Sequence, residues 1–196
     1  MNIVKTRFAP SPTGYLHIGG ARTALFAWLY AKSNQGACIL RIEDTDKERS
    51  KEEYTKEIIK SFQWLGINFD DEVIYQSNNF DRYNEVINTL IENGSAYVCN
   101  CSKDRLSELR KAQESKGQNP KYDGKCRELN LERSEETVVR FKFPQEGTTK
   151  FTDIVKGDIE VKNSELDDFI IERTDGAATY NLCVVVDDID SNITHV

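Results

Sequence analysis

Apolar residues follow a strand–helix–strand order over the first 42 residues of the chain. A β-prone run over residues 3–9 leads into a loop with two prolines and three glycines, which we expect to exclude regular structure up to residue 20. A strongly helical stretch, 21–32, precedes an apolar, β-branched segment at 37–42. This order and spacing predict a right-handed βαβ unit and therefore a parallel sheet.

Helical periodicity returns in two later segments. Apolar positions recur so as to predict a helix over residues 50–65, which Gly66 ends, and another over 81–93, which Gly94 ends. Residues 67–72, between the two helices, indicate a loop or a short strand.

The pattern changes character near residue 97. A charged helix is predicted over 102–116, and short strands follow at 137–144, 149–153, 159–161 and 169–173. Residues 179–188 form an apolar helix or strand that ends in Asp187 and Asp188, for which composition favours helix capping over metal binding. We therefore predict an α/β region at 1–96, an α+β insertion at 97–178 and a return to the first region at 179–196.

Composition narrows the class of protein. The chain is 38% hydrophobic and 30% charged with a net charge of −7, and its basic residues concentrate between positions 103 and 127. The acidic balance argues against binding to nucleic acid by net charge alone, so any such contact would depend on that local region. No run approaches the ~18 apolar residues of a membrane span, and the first residues lack the apolar core of a signal peptide. We expect a cytoplasmic protein that does not enter membranes.

The cysteines suggest a metal site. An odd count of five without a secretory signal argues against a disulfide framework. Cys99 and Cys101 form a C-x-C pair, and Cys126 follows 25 positions after the second thiol. Clustered thiols of this kind predict a structural zinc ion, as opposed to free thiols on a loop. The fourth ligand would be Tyr122 or Glu128.

The loop between the first strand and helix is suited to phosphate. Glycine lets a ligand approach the backbone, and a helix N-terminus offers unpaired N–H groups with a partial positive charge. His17, one of only two histidines, lies in this loop. Glu43 follows the second strand, at the carboxyl end where ligands bind in open α/β sheets.

These motifs resemble a known family. His17–Gly20 resembles the first signature of class I aminoacyl-tRNA synthetases, with Gly20 in place of the second histidine. The flanking residues, Pro10–Gly14 and Gly20–Phe26, look like the bacterial glutamyl-tRNA synthetases, and so does Arg41–Asp46. The resemblance covers essentially the whole chain. It implies a Rossmann-like parallel sheet with an inserted, zinc-containing subdomain that binds the tRNA acceptor end.

The resemblance also implies a reaction and its cofactors. L-Glutamate would attack ATP, accompanied by Mg²⁺, to give glutamyl-adenylate, and tRNA(Glu) would then accept the glutamyl group. The ATP contacts carried over are Ser11, Thr13, Gly14, His17, Gly19 and Gly20, of which His17, Gly19 and Gly20 form the catalytic signature.

The glutamate pocket carried over from the family combines charged and small residues. Its members here are Arg7, Ala9, Ser11, Glu43, Tyr180 and Val184. Arg7 suits a carboxylate and Glu43 an ammonium group. Val184 departs from the asparagine of some family members.

Two other functions fit the same motifs. The family's lysine-rich loop and anticodon-binding part have no counterpart in this chain, so we expect a monomeric fragment that is inactive alone. One alternative is the shorter paralogue that glutamylates queuosine in tRNA(Asp). The other is a non-catalytic module that binds ATP or the tRNA acceptor end.

Overall fold

The computed structural model describes residues 3–46 and 48–196, which form two compact units. The first unit contains the described residues up to Asp81 together with Cys183–Val196, and the second is Arg82–Leu182. The predicted region 1–96 includes Met1, Asn2 and Lys47, which lie outside the described residues. Within the described ranges, every helix is too short or too polar to cross a lipid bilayer.

The first unit is built on a parallel sheet. Its elements in chain order are β1 (Lys5–Phe8), α1 (Ile18–Ser33), β2 (Ala37–Ile42), α2 (Glu52–Trp64) and β3 (Ile74–Tyr75). The strands lie in the order β1-β2-β3 and both pairings are parallel, with Phe8 beside Leu40 and Ile42 beside Tyr75. The predicted α/β class with a parallel sheet is therefore confirmed.

Strand β2 forms the centre of this unit. All of its residues after the first are buried, as expected for a strand with a neighbour on each side. Phe62 of α2 packs edge-to-face on Phe8 with ring centroids 5.3 Å apart. Ala24 of α1 is fully buried against the same cluster, which closes the core.

The second unit is antiparallel. Its main elements are α3 (Phe80–Glu92, whose first two residues belong to the first unit), β4 (Ala96–Cys99), α4 (Lys103–Ser115), β5 (Val138–Phe141), β6 (Thr148–Asp153), β7 (Gly157–Lys162) and β8 (Ile170–Glu172). Strands β4, β5 and β8 form one sheet in that order, and β6 pairs with β7 as a separate hairpin. The four strands predicted between residues 137 and 173 are all present with shifted ends.

A buried carboxylate joins distant parts of the second unit. Asp168 accepts hydrogen bonds from the hydroxyl of Tyr97 at 2.6 Å, from the guanidinium of Arg127 and from the backbone N–H of Phe143 at 3.0 Å. Burial raises the pKa of Asp168, but the hydrogen bonds from Arg127 and Tyr97 outweigh it and hold the pKa below its usual range. This carboxyl group is therefore ionised at neutral pH.

The predictions about individual elements need correction or completion. Helix α1 begins at Ile18, before the predicted residue 21, because His17 caps its first turn. Strands β3 and β4 were not predicted, since two residues carry no periodicity and the four residues of β4 are all buried and do not alternate. The segment that was predicted as helix or strand is a helix, α5 (Tyr180–Asp190).

The capping role expected for the two aspartates is wrong. In α5 the carboxylate of Asp188 lies 2.6 Å from Nη1 of Arg41, which belongs to β2 and is completely buried. Asp187 lies 3.7 Å and Glu43 lies 3.6 Å from other nitrogens of the same guanidinium. We call Arg7, Arg41, Glu43, Asp187 and Asp188 the ion cluster; all five belong to the first unit.

Replacing Arg41 by methionine should destabilise the protein strongly. The change leaves buried carboxylates without their cation, and we expect the free energy of unfolding to fall by about 3–5 kcal/mol at pH 7. Burial raises the pKa of Asp188, but hydrogen bonds from Arg7 and Arg41 hold it below its usual range. The stability that the ionised Asp188 contributes is therefore fully present above the unfolded-state pKa of about 3.9. It disappears as the pH falls through the folded-state pKa.

The deficit of R41M should therefore narrow below about pH 4. Urea denaturation at pH 7 and at acid pH measures both values. Arg49→Met is the control, because Arg49 pairs with Asp46 at an exposed site and should contribute less than about 1 kcal/mol. An equal loss of unfolding free energy in the two variants would show that the buried ion pairs of Arg41 stabilise the protein no more than the exposed pair of Arg49.

A close approach between the turn after α1 and the residue that precedes β1 predicts a second stability effect. Gly36 precedes β2, and a Cβ atom at this position would lie 2.1 Å from the carbonyl oxygen of Val4. Since backbone must move to relieve this clash, Gly36→Ala should lower the free energy of unfolding by about 1–3 kcal/mol. Gly14→Ala is the matched control, because nothing lies within 4 Å of a Cβ there. Thermal denaturation of both variants tests the difference.

Candidate functional site

The β1–α1 loop is fixed by the segment that follows β2. The carbonyl oxygen of Pro10 accepts a hydrogen bond from the N–H of Glu43 at 2.9 Å, and that of Pro12 accepts one from Lys51 at 3.1 Å. Asp44 uses its carboxylate differently, since it accepts from the N–H and hydroxyl of Ser77. The loop and Glu43 are thereby held together at the carboxyl ends of adjacent parallel strands.

His17 is positioned by the first turn of α1. Its Nδ1 accepts hydrogen bonds from the N–H groups of Gly19 at 3.1 Å and Gly20 at 3.3 Å. Because Nδ1 is an acceptor, the neutral ring carries its proton on Nε2, and the side chain is exposed. The ring can therefore donate a hydrogen bond to an anion near the helix N-terminus.

Glycine at position 19 has a steric reason. A Cβ there would lie 2.9 Å from Cε1 of His17, and a Cβ at position 20 would lie 3.0 Å from Cδ1 of Leu16. A side chain at residue 19 would thus move the imidazole away from the position in which it accepts the two backbone hydrogen bonds. The other predicted ATP contacts lie in the same loop, where Ser11 and Thr13 are exposed and Gly14 has open space around it.

Arg7 is paired rather than free. Its Nε and Nη2 donate to the two carboxylate oxygens of Asp188, both at 3.1 Å, across 181 positions of sequence. Bidentate pairs of this kind fix orientation as well as charge. Sequence reasoning missed Asp188 and Arg41 as parts of the site. The available signal was an arginine inside the apolar run of β2, which needs a buried acid.

Glu43 has an unusual environment. Its side chain is buried, and Oε1 accepts no hydrogen bond from the described residues. Burial raises its pKa, although the nearby charges of Arg41 and Arg7 act in the opposite direction. The ion cluster contains more carboxyl than guanidinium groups, so it carries excess negative charge when all are ionised. An added cation beside Glu43 would neutralise the excess negative charge and could donate a hydrogen bond to Oε1.

The remaining predicted pocket residues lie on separate elements. Ala9 is half-buried directly after β1, and Val184 is half-buried on α5, one turn before Asp188. Tyr180 is the first residue of α5 and is exposed. By its contacts Tyr180 belongs to the second unit, whereas the other predicted pocket residues belong to the first.

The predicted thiols come together in the second unit. The sulfur atoms of Cys99, Cys101 and Cys126 all lie within 4.8 Å of one another. The hydroxyl of Tyr122 lies 3.4 Å from the sulfurs of Cys99 and Cys101. Glu128 is exposed and pairs with Lys142 at 2.9 Å. The structure therefore brings Tyr122, and not Glu128, to the thiols.

The chemistry of this cluster suits a soft or borderline metal. The three thiols match the donor preferences of zinc, the phenol oxygen of Tyr122 is close enough to complete a set of four, and a bound cation would favour the deprotonated forms. Burial and hydrogen bonds with the thiols raise the pKa of Tyr122, so without a cation its hydroxyl stays protonated. Nη1 of Arg105 lies 3.5 Å from the sulfur of Cys101 and could support a thiolate there.

Comparisons with known proteins agree with the motifs. The chain is 57% identical to a glutamate–tRNA ligase of Francisella tularensis subsp. novicida and 56% identical to that of Francisella philomiragia. Each alignment covers 99% of this chain and 42% of the relative. The chain therefore spans about two fifths of the length of these curated relatives.

Solved structures show the same fold. A glutamate–tRNA ligase from Elizabethkingia meningosepticum, solved in complex with its amino acid, is similar with a TM-score of 0.85 and 33% identity. The alignment covers 100% of this chain and 43% of that one. A glutamate–tRNA synthetase from Elizabethkingia anophelis matches equally well, with 44% of its chain covered. Residues 3–196 match the catalytic domain of the class I tRNA synthetases (E and Q), and the chain belongs to this family.

Proposed function

We propose that this chain provides the catalytic region of a glutamate–tRNA ligase. The single observation that carries the proposal is the placement of Arg7 and Glu43 beside the His17 loop, at the carboxyl ends of adjacent parallel strands. These groups match the charges of an amino acid with an acidic side chain. The names of the similar proteins support the same substrate, as does the amino-acid complex of the Elizabethkingia relative.

ATP would bind at the N-terminus of α1. The Nε2 proton of His17 and the partial positive charge of the helix end both favour a phosphate group. Gly14 allows close approach of the backbone, and the exposed hydroxyls of Ser11 and Thr13 provide further hydrogen bonds. Mg²⁺ would accompany ATP and neutralise part of the phosphate charge. The protein's own contribution is orientation of the α-phosphate.

Glutamate would be held by its charges. Arg7 binds the side-chain carboxylate, and the excess negative charge at Glu43 attracts the ammonium group. Ala9, Ser11 and Val184, which all belong to the first unit, would line the pocket. An oxygen of the substrate's α-carboxylate then attacks the α-phosphorus of ATP, and the bond to pyrophosphate breaks. Catalysis here depends on positioning and charge stabilisation and needs no covalent nucleophile.

The second unit would hold the acceptor end of tRNA(Glu). Helix α4 buries none of its residues, so its basic side chains Lys103, Arg110 and Lys111 are available for phosphate contacts. We assign residues 97–178 to this role and residues 1–96 and 179–196 to the catalytic region. A structural zinc ion at the thiol cluster would stabilise the second unit. We further propose that the protein acts in the cytoplasm as a monomer.

Arg7→Gln should impair glutamate use selectively. We expect the KM for L-glutamate in ATP–pyrophosphate exchange, measured with tRNA(Glu) on the protein expressed from its complete gene, to rise at least about tenfold. The KM for ATP should stay the same.

His17→Ala should instead lower kcat of the same exchange reaction by roughly 10²-fold, because a hydrogen-bond donor to the phosphates of ATP is lost.

Lys5→Gln is the matched control for Arg7. Lys5 lies on the same strand but pairs with the exposed Asp71, so exchange should be unchanged. No glutamate-dependent exchange in the wild-type protein would refute the proposed function. Glutamylation of a queuosine-containing tRNA(Asp) would instead identify the paralogue's activity.

The thiol cluster should bind one zinc ion per chain with Tyr122 as a ligand. We expect Tyr122→Phe to weaken the affinity for zinc, measured against a chromogenic chelator, by at least about tenfold. Loss of a residue that only hydrogen-bonds to a metal ligand already has an effect of this size, and loss of a ligand itself should have no smaller one. Glu128→Gln, at the exposed alternative position, should retain zinc as the wild type does. Metal analysis and chelator competition provide the measurement.

The converse result would identify Glu128 as the fourth ligand. Cys126→Ser serves as the positive control, because it removes a buried thiol of the cluster. A wild-type protein purified without any bound metal, and unable to take up zinc, would leave the thiols free and would contradict the zinc proposal.

A further inference from the structure

The pairing between Arg7 and Asp188 uses one particular edge of the guanidinium. Nε and Nη2 form the side edge, and each donates to a different oxygen of Asp188. A guanidinium has five N–H donors, so the end edge formed by Nη1 and Nη2 keeps its own donors. Among the described residues the Arg7 side chain has no other hydrogen-bond partner. One bidentate edge is therefore still available for a carboxylate.

Asp188 is itself immobilised from the protein interior. Its Oδ1 accepts from Nε of Arg7 at 3.1 Å and also from Nη1 of Arg41 at 2.6 Å. Arg41 is 0% exposed and cannot turn towards solvent. The neighbouring Asp187 is held in turn by the amides of Gln76 at 2.8 Å and Asn79 at 3.0 Å. Arg7 is thus held by a series of polar contacts that leads to the fully buried Arg41.

The orientation of Arg7 matters for the choice between L-glutamate and L-glutamine. These two amino acids differ only at the end of the side chain, which is a carboxylate in one and a carboxamide in the other. The guanidinium is purely a donor, so both oxygens of a carboxylate can accept from its end edge. A carboxamide would direct its own N–H₂ donors at one of those nitrogens. Rejection of the amide requires that the guanidinium stay in place when the amide enters. A freely rotating arginine could turn to avoid the mismatch.

We propose that Asp188 is a positioning residue that enforces the choice of glutamate over glutamine. It holds the side edge of Arg7 so that only the end edge meets the substrate, and Arg41 holds Asp188. This inference rests on the proposed function and adds the origin of its specificity. Asp188 does not touch substrate and acts only through Arg7.

A double-mutant cycle separates positioning from folding. The variants are Asp188→Asn, Arg7→Gln and the double variant, in the protein expressed from its complete gene. The measured quantity is kcat/KM for L-glutamate and for L-glutamine in ATP–pyrophosphate exchange with tRNA(Glu). We expect D188N to lower the glutamate-to-glutamine preference about tenfold or more, as for hydrogen bonds to a charged group. The KM for ATP should be unchanged.

In the R7Q background, D188N should change the preference by less than about twofold, because coupled residues are not additive. Additive effects would overturn the proposal, and so would an equal loss of kcat with both amino acids. Asp70→Asn is the control for lost ion pairing in the same unit: Asp70 pairs with Lys32, and its loss should leave the preference unchanged.

Arg7→Lys keeps the test decisive if D188N does not fold. Lysine retains the positive charge but has no side edge for Asp188 to hold. We expect R7K to lose the preference as R7Q does, and a wild-type preference in R7K would overturn the proposal. A wild type without glutamate-dependent exchange would refute the proposed function and this inference together. Normal wild-type exchange with a failed cycle would refute the inference alone.

Discussion

The first unit depends on the burial of one positive charge. Arg41 lies in the central strand β2 with no exposed surface, where an unpaired guanidinium would be prohibitively costly. Glu43, two residues further on, is the one local acid in the ion cluster. The others arrive on α5, and the closest contact spans 147 positions of sequence. The central strand therefore obtains two of its three carboxylate partners only from a helix that is distant in sequence.

The same cluster stabilises the unit and prepares the site. Buried ion pairs often contribute little net stability compared with apolar residues of similar size, so their retention invites a functional reason. Here Oε1 of Glu43 accepts no hydrogen bond from any residue that the structure describes. A fully satisfied cluster would be more stable but would have no charge left for a ligand. The incomplete pairing of Glu43 is thus a cost that the site's chemistry explains.

Local pattern predicted much of this fold, and long-range pairing limited the rest. The βαβ order, α2 and the strands β5 to β8 follow from periodicity within short windows. The start of α1 was misplaced because an imidazole, not a serine or aspartate, caps it. Asp188 was missed because nothing near position 188 reveals Arg41. Spacing could not choose between Tyr122 and Glu128, since either lies close to Cys126 in sequence; only the folded loop places them differently.

The second unit solves the problem of stability by other means. Its three-stranded sheet is short, and α4 contributes no buried residue to a core. Polar and thiol groups add to its apolar contacts: Asp168 joins Tyr97 and Arg127, and Arg140 lies 4.0 Å over the ring of Tyr122. Small units with little apolar core commonly need a metal or a cross-link. Because metal binding energy is folding energy in such units, the zinc ion proposed at the thiol cluster would contribute directly to the stability of the second unit.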